Sequence, residues 1–88
     1  MLRLSDSVRS THSADGAVVL DVNRGRMFRF NQTASRILQL LRLGAERPEI
    51  VQMLVEEFSA DPETAESDTN AFVMALQQNA LLQPQAQR

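Results

Sequence analysis

Few side chains in this 88-residue chain could do catalytic or metal chemistry. His12 is the only histidine and there is no cysteine, so a zinc site would need mostly carboxylates, which is uncommon for zinc. The acid pairs Glu56–Glu57 and Glu63/Glu66 have the residue types of general acids and bases, but they fall on helix faces that we expect to be solvated. No glycine-rich phosphate loop is present, and nothing activates a serine or threonine hydroxyl. The sequence therefore predicts a protein that is not an enzyme and has no cofactor or metal. His12 is expected to be a surface residue.

A second group of residues suits binding. Residues 18–31 read VVLDVNRGRMFRFN, in which three arginines surround two phenylalanines. Such a stretch could belong to a core, to a nucleic-acid contact or to a sheet edge that awaits a partner strand. The net charge is −2, whereas a nucleic-acid-binding domain is normally basic. Positive charge is concentrated in residues 24–47 and negative charge in residues 49–68, which two solvated faces would also explain.

Length and composition limit the other possibilities. At 88 residues, of which 43% are hydrophobic and 23% charged, we expect one folded domain with a core over residues 8–82 and a polar tail over residues 83–88. The absence of cysteine excludes disulfides. The N-terminus lacks the apolar region of a signal peptide, and no apolar run is long enough to span a bilayer. A cytoplasmic location with no membrane partner is the expectation.

Three strands are expected in the first third of the chain. A weak strand at residues 8–12 precedes turn chemistry at residues 13–16, and runs at residues 17–22 and 26–30 follow. The loop Asn23-Arg24-Gly25 between them predicts a three-residue hairpin that ends on a left-handed glycine. The pairs would be Val22 with Arg26, Leu20 with Phe28, and Val18 with Phe30. The inner face would hold Val18, Leu20, Phe28 and Phe30, and the outer face Val19, Asp21, Met27 and Arg29.

Three helices are expected after Phe30, because the apolar period changes from 2 to 3.6. Asn31 or Thr33 would cap the first helix and Gly44 would end it. Pro48 would lie in the first turn of the second helix, whose buried stripe would be Ile50, Val51, Leu54, Val55 and Phe58. Asp61-Pro62 would start a third helix that ends near Gln78, with Asn79 left-handed and Leu81-Leu82 packing back. Its inward residues would be Ala65, Thr69, Phe72, Val73 and Leu76. The predicted fold class is α+β, a three-stranded antiparallel sheet followed by three helices.

The order of several short motifs resembles the PqqD-like family of RiPP recognition elements, proteins that bind the leader segments of ribosomally made, post-translationally modified peptides. The matching residues run from Ala17 to Leu82: Val19-Leu20-Asp21, Gly25-Arg26-Met27-Phe28, Phe30-Asn31, Thr33-Ala34, Ile37, Leu40-Leu41, Gly44, Glu49-Ile50-Val51, Leu54, Phe58, Asp61-Pro62, Asp68, Phe72, Leu76 and Leu81-Leu82. The chain departs from the family pattern at Met27-Phe28, where a Tyr or paired aromatics are common, and at Asn79, where Gly is usual.

The resemblance implies a winged-helix-like domain whose third strand accepts a precursor leader peptide as a fourth strand, beside the third helix. It also implies delivery of the peptide to a maturation enzyme, such as a leader protease or a radical-SAM enzyme, in a lasso-peptide or pyrroloquinoline quinone pathway. The lasso type is slightly favoured. The peptide-binding residues expected on this basis are Arg26, Met27, Phe28, Arg29 and Phe30 of the strand, with Asn70, Val73 and Gln77 of the helix. Of these, Phe28 and Phe30 are expected to belong to the core in the first place.

Two alternatives remain open from the sequence. A winged-helix DNA-binding module would share this topology, but the third helix begins with acids and has no Lys or Arg, which does not suit phosphate contacts. A homodimer could form edge to edge through the same strand.

Overall fold

A three-stranded sheet and three helices make up the computed structural model, which describes residues 3–82. The strands are β1 (Val8–Ser13), β2 (Gly16–Asp21) and β3 (Arg26–Phe30). The helices are α1 (Gln32–Arg42), α2 (Arg47–Phe58) and α3 (Pro62–Gln78). The sheet is antiparallel with the order β1-β2-β3, and one face of it is covered by helices. This confirms the predicted α+β class. The predicted polar tail, residues 83–88, lies outside the described residues.

The helix ends follow local chemistry. The Asn31 side chain accepts a hydrogen bond from the Ala34 N–H at 2.9 Å and caps α1. The Glu49 carboxylate accepts from the Glu46 N–H at 2.8 Å where α2 begins. Asp61 immediately precedes Pro62, and its carboxylate accepts hydrogen bonds from the first N–H groups of α3. These bonds confirm the predicted starts of α1 and α3, and the choice of Asn31 over Thr33.

The register of the β2–β3 hairpin differs from the prediction by one residue. Val19 pairs with Phe28 and Asp21 pairs with Arg26, so the loop has four residues, 22–25, and not three. The face of β2 is therefore reversed: Val18 and Leu20, predicted to be buried, are exposed, whereas Val19 is fully buried. Asp21, predicted on the outer face, is also buried. The predicted face of β3 is confirmed, since Phe28 and Phe30 pack against the core while Met27 and Arg29 point outward.

Polar bonds around Asp21 explain this longer loop. The Gly25 N–H donates to the Asp21 carbonyl at 2.8 Å, and Gly25 has the predicted left-handed conformation. The Asp21 carboxylate accepts from the Arg24 N–H at 3.3 Å and from the Arg26 guanidinium at 3.3 Å. Burying this carboxylate requires such partners, and the four-residue loop supplies both.

The core lies between the sheet and the helices. All five inward residues predicted for α3 are buried, as are Ile50 and Leu54 of α2. Val51 and Val55 are half-buried, and Phe58 is 39% exposed, so its predicted burial was wrong. Phe58 is the last residue of α2, where the chain turns away through a left-handed Ser59.

The chain packs back after α3 through a different residue from the one predicted. Asn79 is not left-handed; Ala80 is, with φ 59°. The Leu81 N–H then donates to the Leu76 carbonyl at 2.8 Å, and the buried Leu82 forms a β-bridge with Leu4. The predicted return of Leu81-Leu82 is confirmed. Asn79 instead uses its side chain, whose Nδ2 donates to the Ala75 carbonyl at 2.8 Å.

Candidate functional site

The outer edge of β3 is the feature with clear binding potential. β3 pairs with β2 alone within the described residues, so its other edge has no neighbouring strand. In a strand, the N–H and C=O of one residue point to one side and those of the next residue to the other. The Val22 N–H, just after β2, donates to the Ser7 carbonyl, just before β1. Val22 therefore faces β1, and the residue before it, Asp21, faces its partner Arg26 on β3. The main-chain groups of Arg26, Phe28 and Phe30 therefore face β2.

Met27 and Arg29 consequently direct their main-chain N–H and C=O groups outward from the sheet. Their side chains stand on the sheet face that no helix covers, and Met27 is 62% exposed. Arg29 makes no hydrogen bond or ion pair with any residue in the described part of the chain. These two residues thus offer unpaired donors and acceptors together with one apolar and one cationic side chain.

The other side chains of β3 point toward α3. The rings of Phe28 and Phe30 are stacked with centroids 6.3 Å apart. Phe30 also meets Phe72 of α3 edge to face, at 4.9 Å between centroids. Both contact geometries are favourable for aromatic pairs. The contact between Phe30 and Phe72 fixes one end of β3 against the middle of α3.

The opposite end of β3 is fixed by Arg26. Its Nη2 donates to the Asn79 carbonyl at 2.7 Å and lies 3.3 Å from the Asp21 carboxylate. Its guanidinium also stands over the Phe28 ring, 5.2 Å from the centroid. Arg26 therefore links β2, β3 and the end of α3 through its two Nη atoms, while its Nε is buried without a hydrogen-bond partner among the described residues.

Between these two contacts lies the space that we call the β3–α3 groove, bounded by Phe28, Phe30, Phe72, Ala75 and Asn79. Phe72, Ala75 and Asn79 lie on one side of α3, because residues at spacings of three and four share a helix face. Asp68 continues the same face toward the N-terminus of α3. A cavity of about 230 Å³ shares Phe72 with the groove, and Asp68, Ala71 and residues at the start of α1 complete its lining.

The predicted helix residues lie on a different side of α3. Val73 is fully buried and cannot line an open groove. Asn70 faces α2, because its Oδ1 accepts a hydrogen bond from Arg47 at 3.2 Å. Gln77 is exposed and, seven residues after Asn70, shares that face. The structure thus places Asn70 against α2 and Val73 in the core, and the binding role of Asn70, Val73 and Gln77 stays a prediction.

Sequence reasoning therefore missed Ala75 and Asn79, and placed Phe72 only in the core. Helical spacing identifies a buried stripe but does not say which neighbour covers each flank of it. The sequence contained one weak indication. Asn79, a polar residue just after a helix, could accept a hydrogen bond from a cation such as Arg26.

The only histidine is not a surface residue, in contrast to the prediction. His12 is half-buried on the inner face of β1, and its Nδ1 lies 2.6 Å from the Ser35 hydroxyl oxygen of α1. Burial lowers the pKa of His12, and the positive charge of Arg42 lowers it further. Its second ring nitrogen lies 3.4 Å from the Ser10 hydroxyl and not beside a carboxylate. His12 and Ser35 thus form a pair without the acidic third group of a catalytic triad.

The described residues form neither a metal site nor a membrane-spanning helix. Among residues 3–82, no group of three or more His, Cys, Asp and Glu side chains could hold a metal ion. No helix in that range is long and apolar enough to cross a membrane.

Comparisons with known proteins agree with this geometry. The family model described as coenzyme PQQ synthesis protein D (PqqD) matches residues 16–82. The solved structure "TbiB1 in Complex with the TbiA(beta) Leader Peptide" is 36% identical, with a TM-score of 0.85 over 97% of this chain and 99% of the other. "Lasso peptide synthetase B1 complexed with the leader peptide" is 30% identical, with a TM-score of 0.84 over 94% and 98%. No curated protein matches the chain.

Proposed function

Because this chain belongs to the PqqD family, we propose that it binds the leader segment of a ribosomally made precursor peptide as a fourth strand along the outer edge of β3. The observation that carries the proposal is the unpaired edge at Met27 and Arg29, with a groove beside it. Both similar structures are described as leader-peptide complexes, which supports the same role here and favours a lasso-peptide pathway.

Main-chain hydrogen bonds would supply much of the affinity. An added strand would exchange N–H···O bonds with Met27 and Arg29, the two residues whose backbone groups face outward. Such bonds do not depend on the guest's side chains, so specificity has to come from pockets for alternate residues.

Those pockets would lie on the two sides of the added strand. Every second guest side chain would enter the β3–α3 groove, against Phe28, Phe72 and Ala75. The intervening side chains would lie over the open sheet face next to Met27. The groove is lined by aromatic and small apolar groups, so we expect apolar guest residues there.

Arg29 and Arg26 would have different tasks. Arg29 is exposed and unpaired among the described residues, so it could meet an acidic guest residue, at a gain of about 0.2–1 kcal/mol for an exposed pair. Arg26 is already bonded to Asp21 and Asn79, so its task would be to hold the groove open at a fixed width. The strand residues predicted from the sequence thus stay in the proposal, whereas on α3 we propose Phe72, Ala75 and Asn79.

The binding role proposed here is non-catalytic, and the chain would act as a single domain. It would present the bound precursor to a maturation enzyme, such as a leader protease or a radical-SAM enzyme. The cytoplasmic location and the possible homodimer remain predictions from the sequence. A homodimer through β3 would compete with the leader for the same edge.

Amide mapping by NMR tests the binding mode. ¹⁵N-labelled protein would be titrated with leader peptides from precursor genes encoded beside this chain. We expect the largest shift changes, and slowed hydrogen exchange, at the Met27 and Arg29 amides, with smaller changes at Ala75. Leader binding with no change at these amides would rule out strand addition to β3.

A further inference from the structure

A second groove lies at the opposite edge of the sheet, between β1 and α1. It holds a cavity of about 570 Å³ lined by Val8, Arg9, Ser10, His12, Arg36, Gln39, Arg42 and Leu43. Three of these residues are arginines and none is an acid. A neighbouring cavity of about 290 Å³ shares Val8, Arg9 and Arg42 with it and adds Arg3 and Asp6. We call the first cavity and its lining the β1–α1 groove.

The positive charge in this groove is only partly neutralised. Arg36 is paired with Glu57 through two contacts of 2.8 Å. Arg9 donates to the main-chain carbonyls of Asp6 and Val8, at 2.8 and 3.3 Å, and those carbonyls carry no net charge. Arg42 has no hydrogen bond or ion pair with any residue in the described range 3–82. Within residues 3–82, the guanidinium groups of Arg9 and Arg42 thus stand at the groove without an ion pair to a carboxylate.

The backbone of β1 offers a ladder on the same side. Ser7, Arg9 and the odd-numbered residues after them face β2, as the bond from the Val22 N–H to the Ser7 carbonyl shows. The N–H and C=O groups of Ser10 and His12 therefore point away from the sheet, into the groove that both residues line. An apolar contact is also available, because Leu43 is 79% exposed at the groove wall.

From these features we propose that the β1–α1 groove is a second docking site, which takes an acidic, extended segment of a partner protein by strand addition to β1. Backbone groups of Ser10 and His12 would pair with the segment, and its carboxylates would meet Arg9 and Arg42. Charge complementarity selects the occupant, since basic walls attract acids and reject basic segments.

Within residues 3–82, this chain places no acidic segment of its own in the groove. Its acids from Glu49 onward lie mostly in α2 and α3, which are not extended. Residues 83–88 read QPQAQR and contain no acid. The site is also separate from the leader edge, since β1 and β3 are the two outer strands of the sheet. The proposal therefore does not depend on leader binding.

The test uses the full-length protein and two synthetic peptides. One alternates glutamate with valine, and the other alternates lysine with valine. NMR titration at low salt should shift the Ser10 and His12 amides with the glutamate peptide and leave Met27 and Arg29 unchanged. Arg42→Glu should weaken that binding at least fivefold. Arg47→Glu is the matched control, because Arg47 is an exposed arginine outside the groove, and it should keep wild-type affinity.

Four results would overturn the proposal. The lysine peptide could bind as well as the glutamate peptide, or the shifts could occur at β3 instead of β1. A leader peptide or a mixed-sequence oligonucleotide could occupy the Ser10 and His12 edge more tightly than the glutamate peptide. Unchanged affinity in a folded Arg42→Glu variant would also contradict it. The failure of leader binding at β3 would leave the β1 result intact, so the two proposals fail separately.

Discussion

Nη2 of Arg26 donates a hydrogen bond to the main-chain carbonyl of Asn79 at 2.7 Å, so a side chain of β3 closes the end of α3. The same Nη2 lies 3.3 Å from the buried Asp21 carboxylate. Arg26 therefore helps to neutralise a buried acid, which also lies 3.8 Å from the Arg24 guanidinium, and it bounds one end of the β3–α3 groove. We therefore expect stability and leader binding to be coupled at this residue.

Arg26→Ala should lower both stability and leader affinity. Removing the cation leaves the Asp21 carboxylate buried with less compensation, and we expect a loss of about 1–3 kcal/mol in the free energy of unfolding. Urea denaturation measures it. Adding Asp21→Asn to Arg26→Ala should recover part of the stability, because the uncompensated charge is gone. Strict additivity of the two substitutions would contradict the coupling.

Ala75→Phe tests which flank of α3 borders the groove. A phenyl ring at Ala75 would fill the space beside Phe28 and Phe72, so leader affinity should fall at least tenfold. Gln77→Phe is the matched control, because it adds the same ring on the other flank and should leave affinity within twofold. Calorimetric titration of both variants gives the comparison. A larger loss of leader affinity in Gln77→Phe than in Ala75→Phe would instead support the flank of α3 that was predicted from the sequence.

The helices could be predicted from the sequence because their determinants are local. The Asn31 cap, the Asp61-Pro62 start and the 3.6-residue apolar period each act over a few residues. The register of β2 could not be predicted in the same way. Residues 17–20 are apolar on both faces, so alternation does not select one face, and the distinguishing feature is a side-chain bond across the hairpin between Asp21 and Arg26.

The outward face of β3 could be predicted from the sequence, but the flank of α3 that lies beside it could not. Met27 and Arg29 follow from the alternation within β3, which the prediction placed correctly. The flank of α3 depends on how the helix is rotated against the sheet, which Phe30, Phe72, Arg26 and Asn79 determine together. No single helix pattern contains that information.

Gly16→Ala should be far more destabilising than Gly25→Ala. A Cβ at Gly16 would lie 2.0 Å from the Phe30 carbonyl oxygen, and its φ of 145° is unfavourable for any side chain. A Cβ at Gly25 would contact nothing within 4 Å, so only its left-handed φ adds a cost, about 1–2 kcal/mol. Urea unfolding of both variants measures the difference. Equal losses would show that β2 does not approach Phe30 so closely.

His12 should make the free energy of unfolding decrease as the pH is lowered. Its pKa is lowered in the folded protein, mainly by burial and then by Arg42, so the unfolded chain takes up the proton more readily. This contribution is complete above pH of about 6.5, the ordinary histidine value, and is lost as pH falls toward the lower folded pKa. In His12→Gln, the fall in unfolding free energy over that window should be shallower. A folded-state pKa above 6.5, by NMR titration, would reverse the sign.

In the proposed complex, the outward N–H of Met27 donates to the leader strand. Proline at Met27 removes this donor but leaves the β2–β3 bonds, which use Arg26, Phe28 and Phe30, in place. Met27→Ala is the control, since it shortens the side chain and keeps the N–H. In leader titrations with both variants folded by circular dichroism, we expect Met27→Pro to lose binding at least fiftyfold and Met27→Ala to lose much less. Wild-type affinity in Met27→Pro would contradict strand addition at β3.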